Sequence, residues 1–254
     1  MNRIFINGHY ILYIGTSFET VKHRHHAAQI CIGLDSTFEL TNQQGVVGTY
    51  HAVLIKANST HQLNAPNTAI ASLFLDVHSC TYITLTKRYQ LTDRNVFQSI
   101  GLSTEVFILL ARLRRQFTHT VAKTAINKIN RELVGQVPSS PSIDPRINKV
   151  LQQLNQACDQ QIPLEKLAKS VHLSPSRLCH LFKSEIGTPI RRYSLWNRIR
   201  VAIEYAVMHQ SLTDGALQAG FTDSSHFSRI FKEMYGFNQS AIMNSQTPMI
   251  VITS

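Results

Sequence analysis

Histidines cluster where they could bind a ligand. His23, Arg24, His25 and His26 stand close together, Gln29 follows, and His61 lies further on. Residues at i and i+2 of a strand point to the same face, so His23 and His25 can face one volume. With His61 from another strand, they have the donor type a transition metal uses. The fourth polar residue, Gln29, is neutral and a poor ligand. The expectation is therefore polar lining or surface histidines at His23, His25, Gln29 and His61, with no metal and no cofactor. The four cysteines, Cys31, Cys80, Cys158 and Cys179, are far apart with no CxxC pair. That is neither a disulfide framework nor a zinc ribbon, and reduced thiols in a cytoplasm fit it best.

A second set of chemistry-bearing residues lies late in the chain and is basic. The net charge is +10 over 254 residues, with a sequence pI near 9.7. Such an excess draws a chain toward polyanions without naming the polyanion. Hydrophobic residues make up 43% and charged ones 16%, enough apolar material for packed cores. No signal peptide is read at the start, and no run of about eighteen apolar residues is present to span a membrane. The expectation is a soluble, cytoplasmic protein.

The elements that must position these residues change type along the chain. Ile11–Ile14, Gln29–Ile32, Val46–Tyr50, His51–Ile55 and Ala69–Leu75 are short, β-branched or apolar runs separated by Gly, Asn, Asp and Pro, which predicts a small barrel or sandwich. Thr104 to Phe117 then places Val106, Leu110, Leu113 and Phe117 on one helical stripe. That stripe suits either a dimer face or packing on the barrel. A second helix is expected over Val121 to Leu133. Two prolines and three serines between Gly135 and Ser142 mark a linker. Beyond it the pattern is helical throughout, opened by Asp144-Pro145 as cap and first turn. The expected division is 1–134, linker 135–142, 143–246 and tail 247–254.

The helical half repeats itself. Leu164-Glu-Lys-Leu-Ala168, Val171-His-Leu173 and Leu181-Phe-Lys-Ser-Glu-Ile-Gly187 correspond to Leu212-Thr-Asp-Gly-Ala216, Ala219-Gly-Phe221 and Ile230-Phe-Lys-Glu-Met-Tyr-Gly236. Each is a short helix, a tight turn and a second helix, the syntax of a helix-turn-helix. A helix from Pro189 to His209 joins them and spans about 30 Å. One DNA turn is roughly 34 Å, so this connector can hold two recognition helices in successive major grooves.

These residues resemble the AraC/XylS family of transcription regulators. Leu173 to Pro189 is similar to the family's first helix-turn-helix, Ala219 to Gly236 to its second, and Arg198-Ile-Arg200 with Ala202 and Ala206 to its connecting helix. Two departures are visible: Asn238-Gln-Ser240 where a serine-proline turn is usual, and Gly215-Ala216 in place of Ile-Ala. Both predict a slightly looser second unit. Within the two motifs, Leu178, Leu181 and Phe182, and Phe227, Ile230 and Phe231, are expected to face the core. Ser176, Cys179, His180 and Lys183, with Ser224, Ser225, His226 and Arg229, then face DNA. Arg229 can grip guanine through two hydrogen bonds while His180, His226 and the serines address base edges. Lys183, Lys232, Arg191 and Arg192 are expected on phosphates.

The resemblance implies an α+β chain of two domains. The first is a cupin-like β-barrel that binds a small effector and dimerises through its helices, and the second is an all-α double helix-turn-helix. It implies double-stranded promoter DNA as partner, RNA polymerase as a further one, activation as the direction, and a homodimer. A metal-dependent cupin enzyme would need a full ligand set, and Gln29 stands where metal-binding cupins carry glutamate, so no enzyme activity is expected. A DNA-architectural protein without an effector would share the helical half but leave the barrel without a task. A membrane-surface protein would need a basic amphipathic helix, which the sequence lacks.

Overall fold

The computed structural model describes residues 3–7, 10–75, 77, 79–135, 143–157, 162–186, 188–209 and 211–235. The body of the expected linker and the expected tail lie outside them. The chain divides into two compact units, residues 1–139 together with 231–254, and residues 140–230.

The first unit contains β1 (Arg3–Asn7), β2 (Tyr10–Glu19), β3 (Ala28–Gly33), β4 (Phe38–Asn42), β5 (Val47–Tyr50), β6 (Ala52–Ile55), β7 (His61–Leu75), α1 (Cys80–Arg88), β8 (Phe97–Ser99), α2 (Thr104–Arg115) and α3 (His119–Val134). The strands form one antiparallel sheet in the order β1-β2-β7-β3-β6-β8, with β4 paired to β5 and β7. Strand β7 organises it. One side of β7 pairs with β2, while the other pairs first with β4, from His61 to Asn64, and then with β3, from Ile70 to Leu75. The β2 register shifts between Thr16 and Phe18, opposite the stretch of β7 that contains Pro66. Proline offers no N–H to a ladder, so the strand bends there. The path ends at β1 and β8, and no pairing among the described strands joins them. The sheet is thus open where a closed barrel is expected.

All six residues of β3 are buried, as befits a strand with neighbours on both edges and apolar packing on both faces. Helix α2 packs on α3, and α3 on α1. Ser79 caps α1 by accepting from the Tyr82 N–H, and Thr118 caps α3 by accepting from Val121. The stripe Val106, Leu110, Leu113 and Phe117 is buried within the chain, none of it more than 6% exposed. This corrects the dimer-face reading. Burying each such side chain contributes about 1.5–3 kcal/mol, and here the chain itself supplies the cover. Arg114 of α2 reaches Asp35 at 2.9 Å, a half-exposed pair of small energetic weight.

The second unit contains α4 (Pro145–Gln156), α5 (Leu164–Ser170), α6 (Pro175–Ile186), α7 (Ile190–His209), α8 (Leu212–Gln218) and, as far as Ile230, α9 (Ser224–Tyr235). Asp144 caps α4, accepting from the Arg146 N–H at 2.9 Å while Pro145 occupies the first turn. Hydrogen bonds from the Arg146 guanidinium, then from its N–H, hold the Asp144 carboxyl down to about 2. Ile147, Val150, Leu151 and Leu154 form the buried stripe of α4. Gly215 lets α8 lie directly on α7, because a Cβ there would stand 2.4 Å from the Ala202 carbonyl oxygen and 3.2 Å from the Ala206 Cβ. The expected loosening at Gly215 is therefore corrected: the missing side chain permits closer packing. Among the described residues no helix is long and apolar enough to cross a membrane.

Candidate nucleic-acid interface and histidine cluster

The two helix-turn-helix units share one backbone device. Leu173 N–H donates to the Ala168 carbonyl at 3.0 Å, and Phe221 N–H to the Ala216 carbonyl at 3.0 Å. In each case the preceding residue turns the chain through the left-handed region, His172 at φ 57° and Gly220 at φ 73°. Ala168 and Ala216 are buried beneath these turns. The next helix then begins on a side-chain cap. Ser174 Oγ accepts from the Arg177 N–H at 3.3 Å, and Asp223 Oδ1 from the His226 N–H at 2.7 Å. That bond is the chief reason the Asp223 carboxyl sits below its ordinary range. The second turn carries one extra residue, Thr222, ahead of its cap.

Arg198 of α7 secures the second turn. Its Nε donates to the Ala219 carbonyl at 2.7 Å, its Nη2 to the Gly220 carbonyl, and its guanidinium lies 4.3 Å from the Phe221 ring centre. These carbonyls end α8, where a cation is favourable.

The inward seam of α6 is Leu178, Phe182 and Ile186, and that of α9 holds Phe227 and Phe231. Leu181 and Ile230, expected in the core, are not fully buried: both are half-buried. An i, i+4, i+8 row is what a short partner helix covers, and the neighbouring i+3 position falls at its margin.

The candidate DNA-facing residues separate into two groups. Ser176, His180, Ser224, Ser225, Arg229 and Lys232 are exposed. Cys179 and His226 are half-buried and, with the exposed Lys183 and Arg191, line a cleft of about 660 Å³ that also has walls from Leu154, Ile190 and Ile230. His226 is half-buried, with its Nδ1 3.0 Å from Thr222 Oγ1 and its ring edge-on to Phe221. Arg192 is half-buried on α7. Two exposed residues were missed. Arg177 and Ser184 stand with His180 at i, i+3 and i+7, the face opposite the Leu178–Phe182 seam. The signal for them was present in that spacing.

In the first unit, His23, His25, Gln29 and His61 come together as expected, and all are buried. His23 and His61 exchange backbone hydrogen bonds at 2.9 Å in each direction. The ring centres of His23 and His61 are 4.4 Å apart, those of His25 and His61 5.0 Å, and those of His23 and His25 5.5 Å. Each Nδ1 meets a backbone carbonyl: His23 at Val21 (2.9 Å), His25 at Ala27 (2.7 Å) and His61 at Ser59 (2.9 Å). Gln29 Oε1 lies 2.9 Å from His25 Nε2 and 3.2 Å from His61 Nε2. Burial, then the neighbouring His25, pushes His23 down to about 3. Burial, then His23 and His25, holds His61 well below its usual value. Both of these rings are thus neutral bases at neutral pH.

Comparisons with known proteins agree with the helical part of this description. Residues 167–243 match a family model described as a helix-turn-helix domain. The chain is 29% identical over 102 residues to the arabinose operon regulatory protein of Escherichia coli (strain K12), covering 39% of this chain and 35% of that protein. It is 30% identical over 110 residues to the transcriptional activator RhaS of Klebsiella pneumoniae (strain 342), covering 42% and 39%. The matched stretch thus spans little more than a third of these relatives. ToxT from Vibrio cholerae has a similar fold over 92% of this chain and 97% of its own, with a TM-score of 0.58 at 12% identity. The duplicated capped turns and these matches identify the helical unit as a helix-turn-helix domain similar to those of the AraC-type transcription regulators.

Proposed function

We propose that this chain is a sequence-specific, double-stranded-DNA-binding transcription activator, cytoplasmic and dimeric, that places α6 and α9 in successive major grooves. The observation that carries the reading is the pair of helix-turn-helix units with one shared turn device, joined by the 20-residue α7. That connector is about 30 Å long, close to one helical turn of DNA. Arg229 and Ser225 on α9, and Ser176 and His180 on α6, address base edges. Lys232, Arg191 and Lys183 hold phosphates, and Arg177 joins them.

The first unit is the sensor in this reading, cupin-like, with His23, His25, Gln29 and His61 as the polar part of an effector site. A structure of ToxT is described as bound to an unsaturated fatty acid, which supports a small-molecule effector for a chain of this fold. Contact with RNA polymerase is the route to activation. Dimerisation uses the outer side of α2 and α3, where Ile108 is 62% exposed.

Footprinting of the purified chain on genomic DNA fragments tests the reading. Protected sites spanning about two helical turns are expected. Arg229→Ala weakens them by about 1–3 kcal/mol and relaxes the base preference at one position. Lys183→Ala weakens all sequences alike and lowers the salt slope by about one. Equal affinity of wild type and Arg229→Ala for every fragment would overturn it.

A further inference from the structure

We propose that His23, His25 and His61 bind one divalent transition-metal ion, with the amide oxygen of Gln29 as a weak fourth donor. Metal binding here does not need DNA recognition, so it stands apart from the regulatory reading. It also departs from the sequence-based expectation of plain polar lining.

The backbone carbonyls set the hydrogen positions. A carbonyl only accepts, so each Nδ1 that meets one carries the proton: His23 at Val21, His25 at Ala27 and His61 at Ser59. In a neutral ring the other nitrogen, Nε2, then bears a lone pair. This is the arrangement in which protein carbonyls orient metal-ligating histidines, and here it occurs three times in one cluster.

Two of these lone pairs face a further acceptor. Gln29 Oε1 is 2.9 Å from His25 Nε2 and 3.2 Å from His61 Nε2. Gln29 Nε2 is directed away, donating to Ser72 Oγ at 3.1 Å. Acceptors therefore converge on acceptors inside a buried volume. Such a convergence is repulsive until a positive species stands between the donor atoms. Each histidine offers one ring nitrogen, and the three lie within 4.8 Å of one another. Bonds of roughly 2.1 Å would draw them in by about an ångström. Imidazole donors suit zinc, cobalt, nickel, copper or iron rather than magnesium or calcium. Because every donor is neutral, the ion keeps its double positive charge. Its remaining positions stay open to water or to an anionic small molecule, as in sites that leave a position free.

The competing arrangement has the Gln29 amide turned over, its NH₂ donating to the two rings and its oxygen accepting from Ser72. That network is complete without an ion.

Cobalt titration of the chelator-stripped, tag-free full chain separates the two. One equivalent of Co²⁺ is expected to bind with visible d–d bands, displaced by Zn²⁺. His61→Ala and His23→Ala each weaken binding by roughly 100-fold or more, beyond the usual effect of losing an outer-shell partner. Gln29→Glu retains the volume and supplies a carboxylate, and is expected to tighten binding by about tenfold. This variant tests the site even where a histidine variant fails to fold, which far-UV circular dichroism reports. His51→Ala, at an exposed histidine outside both sites, leaves the titration unchanged. A natively folded chain that binds no cobalt, or affinities indifferent to both His61→Ala and Gln29→Glu, would overturn the proposal in favour of the closed amide network.

Discussion

The two helix-turn-helix units reach the same turn by different chemistry. The first bends through a histidine at φ 57°, caps α6 with a neutral serine at 3.3 Å, and fills the inner side of α5 with Leu167. The second bends through a glycine at φ 73°, caps α9 with a carboxylate at 2.7 Å, and has Gly215 where the first has leucine. It also has Arg198 spanning from α7 to the turn carbonyls. The first unit is held by side-chain volume around a mildly strained turn, the second by backbone contact and charged hydrogen bonds around a relaxed one. A helix-turn-helix thus needs its buried alanine and its turn bond, while the means of holding them is exchangeable.

Exchanging the matched inner positions breaks this contrast most strongly. Leu167→Ala is expected to cost about 2–5 kcal/mol by leaving a cavity, and Gly215→Leu about 3 kcal/mol by forcing α8 off α7. Urea unfolding followed by helical circular dichroism measures both, and a small cost for Gly215→Leu would show that α7 and α8 can part freely.

Removing the caps comes next. Ser174→Ala costs about 1 kcal/mol at any pH. Asp223→Ala costs more at neutral pH, since the cap is charged. The folded carboxyl is depressed below its ordinary 3.8, so its contribution is present above about that pH and fades as the pH falls through the folded value. Thermal melts at pH 7 and pH 3 should therefore bring the two variants together at the acid end.

The smallest effect is a gain. His172→Gly relieves the left-handed strain but frees the unfolded chain, for a net stabilisation of about 0.5 kcal/mol. A rise in Tm of a few degrees checks it, and a fall would mean that the His172 side chain holds the turn.

The helical unit was legible because most of its helices have a periodic apolar stripe and a start or stop signal, from Asp144-Pro145 to the turn at Gly220. The sheet was legible only in part. Its expected strands fall on observed ones, but β2 and β7 run well beyond the expected 11–14 and 69–75, and β1, β4 and β8 were missed. Ile4, Phe5 and Ile6 of β1 are all buried, so the short run shows no alternation. In β4 the alternation is real, with Phe38 and Leu40 buried and Glu39 exposed, but five residues are too few to stand out. Helix α1 is rich in Thr81, Ile83, Thr84 and Thr86, residue types that favour strands. The Ser79 cap and the buried Leu85 decide otherwise. At the histidine cluster, residue types and spacing were readable. The carbonyls that set the ring protons were not, because they belong to loop backbone with no sequence signature. The cleft that Cys179, Lys183, Arg191 and His226 line was also hidden, since it depends on how the helices cross.

Strand β7 has a kinetic consequence. Its ladder joins Leu75 to Tyr10 on one side and to Ala28 on the other, and the edge strand β8 arrives only at Phe97. The turn bonds of the helical unit, such as Leu173 to Ala168, span a few residues. Loop-closure entropy must be met before distant strands reward each other, whereas local helical contacts form early. The sheet half leaves the ribosome first yet waits on nearly its whole length before it can consolidate. On refolding from denaturant the helical half should therefore lead and the sheet half set the pace.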